Sequence, residues 1–488
     1  MGLAHTAFAE TGDRDYLLGL VLNALESGAY SKAAGHLKEV ALAFNSDPQI
    51  PNIVTAVTQS ISRDDTSLAD RLTRELWREA PKDQRLWKEV GFLRLNISDE
   101  LLDRDPFKSM QTAEDIWYGA PEKSELWKQA GHTRLNLATR IVEKDPDTAT
   151  TVAEQIWDSA QVDSDLWKQA GKTRLGLARS LYENDPEIAI STAQDIWDNA
   201  PEKSLLWEEA GQTLLDLAVG IFERDPVKAT RLAEQIWQNT ASKSALWKQA
   251  GQFLLDIARK FFDRDINEAE RISGHVWDSA PQKSGLEEQA GVTRLELALK
   301  LVNKTPSLAV QIAQDIWANT RRKSALWESA SKTLLLIAEA LASSETAGDA
   351  ASGALLAENI WRESPAESEL REKAGFTRLK IAQAHFKSNS SEAVRTAEEI
   401  WRYAAQNSSL WEHAGQMRLG LAEQLFDSEP DQAYTIFRDV SKASPKDSLK
   451  TYADQISKTH VKPRSVSPDT FLTHLHSDIK FPRKKTEE

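Results

Sequence analysis

The spacing of the tryptophans limits what this chain can fold into more than any other feature of its sequence. Gaps of ten and thirty residues alternate and define a period of forty. Glu287 and Arg371 occupy the second tryptophan position in two repeats, and four extra residues separate Trp327 from Trp361. A fixed period of this length is typical of stacked repeats rather than of unrelated domains. The sixteen tryptophans are Trp77, Trp87, Trp117, Trp127, Trp157, Trp167, Trp197, Trp207, Trp237, Trp247, Trp277, Trp317, Trp327, Trp361, Trp401 and Trp411.

Each period predicts a short helix followed by a long one. An Asp-Pro step recurs at 105, 145, 185 and 225, and it suits a helix start because Asp caps the N-terminus and Pro fits the first turn. The next segment spaces Ala149, Ala153 and Ile156 as one face of a helix. A serine three positions before the second tryptophan predicts the N-cap of the longer helix, and no segment indicates a strand.

An Ala-Gly pair recurs at one position inside the long helix, as at 130–131, 170–171 and 210–211. Glycine in a helix costs about 1 kcal/mol relative to alanine, so its recurrence predicts a close approach of neighbouring atoms. We expect the tryptophans to be buried against this position; the alternative is an exposed row of tryptophans that forms a binding groove. The predicted structural residues of this kind are Trp117, Trp127, Trp157, Trp167, Trp197, Trp207, Gly131 and Gly171.

Arginine recurs seven residues after the second tryptophan position, with Arg134 and Arg174 as examples. Leu214 and Leu254 take this position in other repeats, which predicts that it is at least partly buried. One interpretation is a structural guanidinium that stacks on tryptophan or pairs with an acid such as Glu154. The other is a ladder of cations that receives an acidic ligand.

The long helix resembles the first helix of the tetratricopeptide repeat through its W-x-x-x-G spacing, as in Trp127-Lys-Gln-Ala-Gly131 and Trp411-Glu-His-Ala-Gly415. The likeness extends over roughly residues 50–450 as an array. The period of forty differs from the thirty-four of that family, and Arg134 or Leu214 stands at the family's tyrosine position. The resemblance implies an all-α, tetratricopeptide-like α-solenoid, a right-handed superhelix of about ten helix-pair repeats.

The same resemblance implies that the W-x-x-x-G helices line a concave face that binds a protein or peptide. Glu208, Glu288 and Glu328 stand where other repeats have lysine; this variation suits an irregular partner, although a solvated face predicts it as well. The partner-binding residues predicted in this way are Lys128, His132, Asn136, Lys168, Lys172 and Lys248.

The pattern along the chain predicts five segments. The first contains capping helices or one degenerate repeat, and the third holds the four extra residues as an insertion loop or hinge. The last is a basic, proline-containing, flexible tail whose Phe471-Leu472 and Ile479-Lys480-Phe481 suit docking onto a partner or back onto the solenoid. The segments are 1–50 (N-terminal cap), 51–340 (helix pairs), 341–354 (insertion), 355–458 (helix pairs and C-terminal cap) and 459–488 (tail).

Composition excludes several classes of function. The net charge of −14 disfavours nucleic-acid binding, which needs clustered Lys and Arg. No run approaches the eighteen apolar residues of a membrane span, and the absence of cysteine excludes disulfides and thiolate metal sites. We expect a cytoplasmic protein, or one secreted into a host cytoplasm as an effector.

No nucleotide-binding, metalloprotease or serine-hydrolase motif is present. We therefore predict no catalytic residue, no metal and no cofactor. The predicted function is a non-catalytic interaction scaffold or adaptor for a protein partner. The alternatives are a self-assembling structural solenoid and, with less support, an α/α-barrel enzyme.

Overall fold

The structure is a computed structural model of the whole chain. The side chains of residues 1–12, 347 and 348 are not described, and the predicted tail, 459–488, lies outside the described residues. The structure describes residues 2–82, 84–242, 244–343, 347–406, 408–443, 449–451 and 453–455.

The described part of the chain contains the 22 helices given below, further helical residues at 449–451 and 453–455, and no strand, which confirms the all-α array of helix pairs. Ten pairs run from α2/α3 to α20/α21, and in all of them except α18/α19 the second helix is longer than the first. The helices are α1 (Gly2–Glu26), α2 (Tyr30–Ala43), α3 (Ile50–Asp64), α4 (Thr66–Glu79), α5 (Arg85–Leu101), α6 (Pro106–Gly119), α7 (Glu125–Ile141), α8 (Pro146–Ser159), α9 (Asp165–Leu181), α10 (Pro186–Asn199), α11 (Leu205–Ile221), α12 (Pro226–Asn239), α13 (Ala245–Phe261), α14 (Ile266–Ser279), α15 (Gly285–Leu301), α16 (Pro306–Asn319), α17 (Ala325–Ala342), α18 (Ala347–Glu363), α19 (Glu369–Ala384), α20 (Ser390–Tyr403), α21 (Ser409–Leu425) and α22 (Pro430–Ala443).

The helices begin where the capping residues predict. The Asp145 carboxylate accepts a hydrogen bond from the Thr148 backbone N–H at 3.1 Å, and Ser124 accepts one from the Trp127 N–H at 3.2 Å. Hydrogen bonds from the Thr148 hydroxyl and backbone hold the pKa of Asp145 below its usual value. Such caps satisfy amide groups that a helix start leaves without a partner.

Two stacked tryptophans form the centre of a typical repeat. The ring of the short helix lies on the ring of the long helix, with centroids 3.8–4.0 Å apart in five repeats. Fourteen of the sixteen tryptophans are buried, and Trp317 and Trp401 are half-buried. The tryptophans therefore form the core of the array and not an exposed row.

The recurring glycine makes room for this stack. A Cβ atom on Gly131 would lie 2.7 Å from Cζ3 of Trp117, in the same repeat, and 2.9 Å from Cδ1 of Leu166, in the next long helix. Real Cβ atoms essentially never come within 3.0 Å of another heavy atom. Glycine at this position thus lets a tryptophan of the same repeat and a leucine of the next repeat both pack closely against the long helix.

Two repeats show how this packing changes when its residues change. Ser331 replaces the glycine in α17, where it accepts a hydrogen bond from Nε1 of Trp317 at 2.9 Å, and the two rings lie 6.1 Å apart. Arg371 replaces the second tryptophan in α19 and places its guanidinium 4.4 Å from the ring centroid of Trp361. A flat cation thus takes the place of the missing aromatic ring.

The chain divides into two compact units, residues 1–250 and 251–488. Consecutive long helices pack side by side within each unit: α3, α5, α7, α9 and α11 in the first, and α15, α17, α19 and α21 in the second. Consecutive short helices from α4 onward make minimal or no contact within the described ranges. The long helices therefore form a continuous layer in each unit, whereas grooves separate the short helices.

The helices do not follow two of the predicted segment boundaries. Residue 50 does not end a cap, because α2 packs on α4 and α3 packs on α5, so residues 30–64 form a helix pair without tryptophan. The predicted loop at 341–354 is helical at 341–342 and 347–354, and α18 is 17 residues long where other short helices have 14. Ala347, Ala350, Ala351 and Ala354 favour helix strongly enough to outweigh the nearby glycines.

The glycine contact predicts opposite effects for two Gly→Ala substitutions in neighbouring long helices. Gly131→Ala should lower the free energy of unfolding by about 1–3 kcal/mol because the methyl group overpacks the stack. Gly176→Ala, where nothing lies within 4 Å of the added Cβ, should raise it by up to about 1 kcal/mol through helix propensity. Urea unfolding followed by circular dichroism measures both, and equal effects would contradict this account of the glycine.

Candidate partner-binding face

The predicted binding residues lie on the layer of long helices. They stand one, five and nine residues after the second tryptophan position, which places Lys128, His132 and Asn136 one above the other on α7. Lys128 and Asn136 are exposed, and His132 is half-buried. We call the surface formed by these three positions on successive long helices the long-helix face.

Several of these side chains already have partners within the chain. Lys168 pairs with Asp163 at 2.9 Å, Lys128 with Glu125 at 4.0 Å, and Lys172 with Glu209 at 3.2 Å. Lys248 is exposed, and no described residue forms an ion pair with it. Exposed ion pairs contribute about 0–1 kcal/mol each, so a partner can displace them at little cost; binding at these residues stays a prediction.

Bridges between adjacent long helices were not predicted from the sequence. Each bridge joins two neighbouring long helices. On the first helix, the residue stands five positions after the second tryptophan position. On the next helix, its partner stands two positions after the second tryptophan position of that helix. The pair Lys172–Glu209 described above is one case, and the ring of Phe376 meets His413 edge to face with centroids 5.2 Å apart. His132 likewise hydrogen-bonds Gln169. These residues therefore also hold the layer together.

The first position of the long-helix face changes sign between the two units. Within residues 1–250 it is lysine in α5, α7, α9 and α13, with Glu208 in α11 as the exception. Within residues 251–488 it is glutamate in every tryptophan-period repeat. The residues are Lys88, Lys128, Lys168, Glu208, Lys248, Glu288, Glu328, Glu372 and Glu412.

The recurring arginine is buried and paired. Arg174 is 6% exposed; its Nη1 donates to Asp195 of the next short helix at 2.6 Å, and its Nη2 lies 3.7 Å from Glu154. Its guanidinium also lies 5.5 Å from the ring centroid of Trp157. Arg134, fully buried, donates to Gln155 at 2.8 Å. Each of these two guanidinium groups is therefore buried and has a hydrogen-bond acceptor within the chain.

Burial lowers the pKa of Arg94, Arg134 and Arg418, because desolvation penalises the charged guanidinium. Arginine nevertheless stays protonated at neutral pH. A buried cation of this kind requires a nearby acceptor, and the residue 21 positions later supplies it for Arg94, Arg174, Arg294 and Arg378.

Arginine and its acidic partner occur together along the chain. In three repeats leucine takes the place of the arginine, and the residue that would pair with the arginine, in the next short helix, then carries no carboxylate. The pairs are Leu214 with Gln235, Leu254 with His275, and Leu334 with Asn359 across the four-residue insertion. Where arginine is present, the matching residue is Asp or Glu in five of six repeats. Comparing the repeats in adjacent pairs would have revealed this contact from the sequence alone.

No group of three or more His, Cys, Asp or Glu among the described residues could hold a metal ion. No described helix is both long and apolar enough to cross a membrane.

No protein-family model matches the chain, and the comparison with curated proteins gives no match. Among solved structures, the chain is similar to "Structure of Naa15/Naa10 bound to HypK-THB" at 15% identity over 92% of this chain and 66% of that one, with a TM-score of 0.29. It is also similar to Kap121p (14% identity, 91% and 45% covered, TM-score 0.27) and to the P58(IPK) TPR domain (13% identity, 83% and 98% covered, TM-score 0.18). These scores carry no functional argument.

The arginine pairs predict that removing one partner is worse than removing both. Asp195→Asn should lower the free energy of unfolding by about 2 kcal/mol, because it weakens a charge-assisted bond to a buried guanidinium. The double variant Arg174→Leu/Asp195→Gln, which copies Leu214 and Gln235, should stay within about 1 kcal/mol of the original protein. Urea unfolding compares them, and a double variant less stable than Asp195→Asn would overturn the account.

The pair Arg378–Glu399 predicts a pH dependence. Burial by itself raises the pKa of Glu399, but the hydrogen bond from Arg378 and the charges of Arg378, Arg362 and Arg395 hold it below its usual value. The contribution of Glu399 to stability is therefore present above the unfolded-state pKa of about 4.3 and is lost as the pH falls through the lower folded-state value. Glu399→Gln should cost about 1 kcal/mol at pH 7 and less at pH 3; an equal cost at both pH values would contradict the prediction.

Proposed function

We propose that this protein is a non-catalytic scaffold or adaptor that binds a protein or peptide partner along the long-helix face. The observation that carries the proposal is the contrast between the two sides of the long helices. Their buried side repeats the same residues, as Trp127, Gly131 and Leu135 do in α7, whereas their outward side forms a continuous layer within each unit, and its residues change from repeat to repeat.

This contrast has a physical reason. Packing between identical repeats needs the same residue at the same position in each repeat. A partner that lacks the forty-residue period needs a different residue at each step. At the position of His132 the other repeats carry, among others, Phe92, Lys172 and Gln252. Such a mixture of aromatic, cationic and amide groups suits an irregular polypeptide better than a repeating polymer.

One observation favours self-assembly as the alternative. The lysines of the first unit and the glutamates of the second occupy the same position on helices with the same repeat. The lysine series of one copy therefore complements the glutamate series of another in sign and spacing, and salt would weaken such an association.

A charge-reversal experiment separates binding on the long-helix face from general charge effects. The triple variant Lys128→Glu/Lys168→Glu/Lys172→Glu should lose proteins that the immobilised full-length chain retains from a lysate, as identified by mass spectrometry. The matched control Lys32→Glu/Lys144→Glu/Arg231→Glu changes the charge equally at exposed sites outside that face, and it should retain the same proteins.

Partner loss in both variants, or in neither, would move the binding site away from the long-helix face. Light scattering on the same samples tests the alternative function. A mass that grows with protein concentration, falls with added salt and is accompanied by no specific partner would replace the scaffold proposal by self-assembly.

A further inference from the structure

A groove separates α18 from α20 on the side of the array opposite the long-helix face. Its walls are the two short helices, its floor is the C-terminal part of α19, and its volume is about 600 Å³. The corresponding groove between α6 and α8 lies at the same position in its repeat. The two grooves can therefore be compared residue by residue.

The α18 wall is apolar where other repeats are bulky or polar. Ala350, Ala351 and Ala354 stand where α6 has Pro106, Phe107 and Met110. Leu355, 58% exposed, is the one apolar residue at its position among the nine tryptophan-period repeats. The residues at that position are Arg71, Gln111, Thr151, Ser191, Arg231, Arg271, Gln311, Leu355 and Arg395.

Arg378 lies beneath the groove and is 5% exposed; its Nη2 donates to Glu399 at 2.8 Å. Its Nη1 is buried without a hydrogen-bond partner, as it also is in Arg94, Arg134 and Arg418, so this guanidinium belongs to the packing under the groove. The groove thus combines an exposed leucine with small side chains that admit a close approach.

We propose that this groove binds the chain's own C-terminal segment, with Phe471 and Leu472 against Leu355 and the three alanines. Phe471 follows the last described residue, Gln455, by 16 residues, which span up to about 50 Å. Helices α21 and α22 lie between the groove and Gln455 in the chain, so the distance from the groove to Gln455 is on the order of 20 Å at normal helix spacing. The segment therefore reaches the groove easily.

Tethering and charge both favour this occupant. A segment joined by a short linker has an effective concentration on the order of millimolar, so weak apolar contacts are enough to keep it bound. Residues 456–488 contain seven Lys or Arg against four Asp or Glu, and Glu358 and Glu392 stand on the two walls. Both carboxylates also pair within their own helices, with Arg362 and Arg395, so apolar contact contributes more than charge.

Disulfide trapping in the full-length chain tests the proposal, since the chain has no cysteine of its own. Ala351→Cys with Thr473→Cys places one thiol in the groove and one beside Phe471-Leu472. The matched control is Ser391→Cys with Thr473→Cys, because Ser391 is equally exposed, occupies the same position in α20 and stands one repeat nearer the C-terminus. We expect the Ala351 pair to form its intrachain disulfide at least tenfold faster, as measured by peptide mass spectrometry.

A second comparison adds Leu355→Arg to the double variant Ala351→Cys/Thr473→Cys. Arginine stands at this position in four other repeats, so the helix tolerates it, and trapping should slow by about tenfold. Equal rates at positions 351 and 391, or no effect of Leu355→Arg, would overturn the proposal. A disulfide that forms mainly between chains, at a rate proportional to concentration, would also overturn it by showing that a second copy fills the groove.

Discussion

The fold depends on the contact between stacked tryptophans and a glycine. One ring comes from each helix of a pair, so the stack fixes the two helices against each other, as Trp117 and Trp127 do. The glycine that accommodates the ring also receives Leu166 from the next long helix. A single small residue therefore couples the packing within a repeat to the packing between repeats, and the array extends by repeating this one contact.

Periodicity made much of this fold predictable. The tryptophan spacing, the aspartate and serine caps and the Ala-Gly pair each recur often enough that chance coincidence is excluded. Single-copy features were harder to interpret. The insertion was predicted as a loop because of its Ser, Gly and Asp residues, but the alanines after Ala347 continue a helix instead. The pair α2/α3 has no tryptophan to mark its period, so the sequence leaves capping helices and one degenerate repeat as equal alternatives there.

The candidate surfaces were predictable only in part. Helical spacing alone places Lys128, His132 and Asn136 on one face, yet it cannot show that His132 reaches Gln169 on the next helix. The groove beside Leu355 depends on how three consecutive helices pack, and helical spacing alone does not give that packing. The sequence signals the groove only through Leu355, which stands at a position where the other tryptophan-period repeats have a polar residue.

The arginine pairs have a consequence for how such an array can grow or shrink during evolution. Each pair joins a long helix to the following short helix, as Arg174 joins Asp195. A duplicated segment that begins at a short helix would separate the arginine from this partner. A segment copied from one long helix through the next short helix would carry both halves together. The segment that keeps the pair intact is thus offset by one helix from the structural repeat.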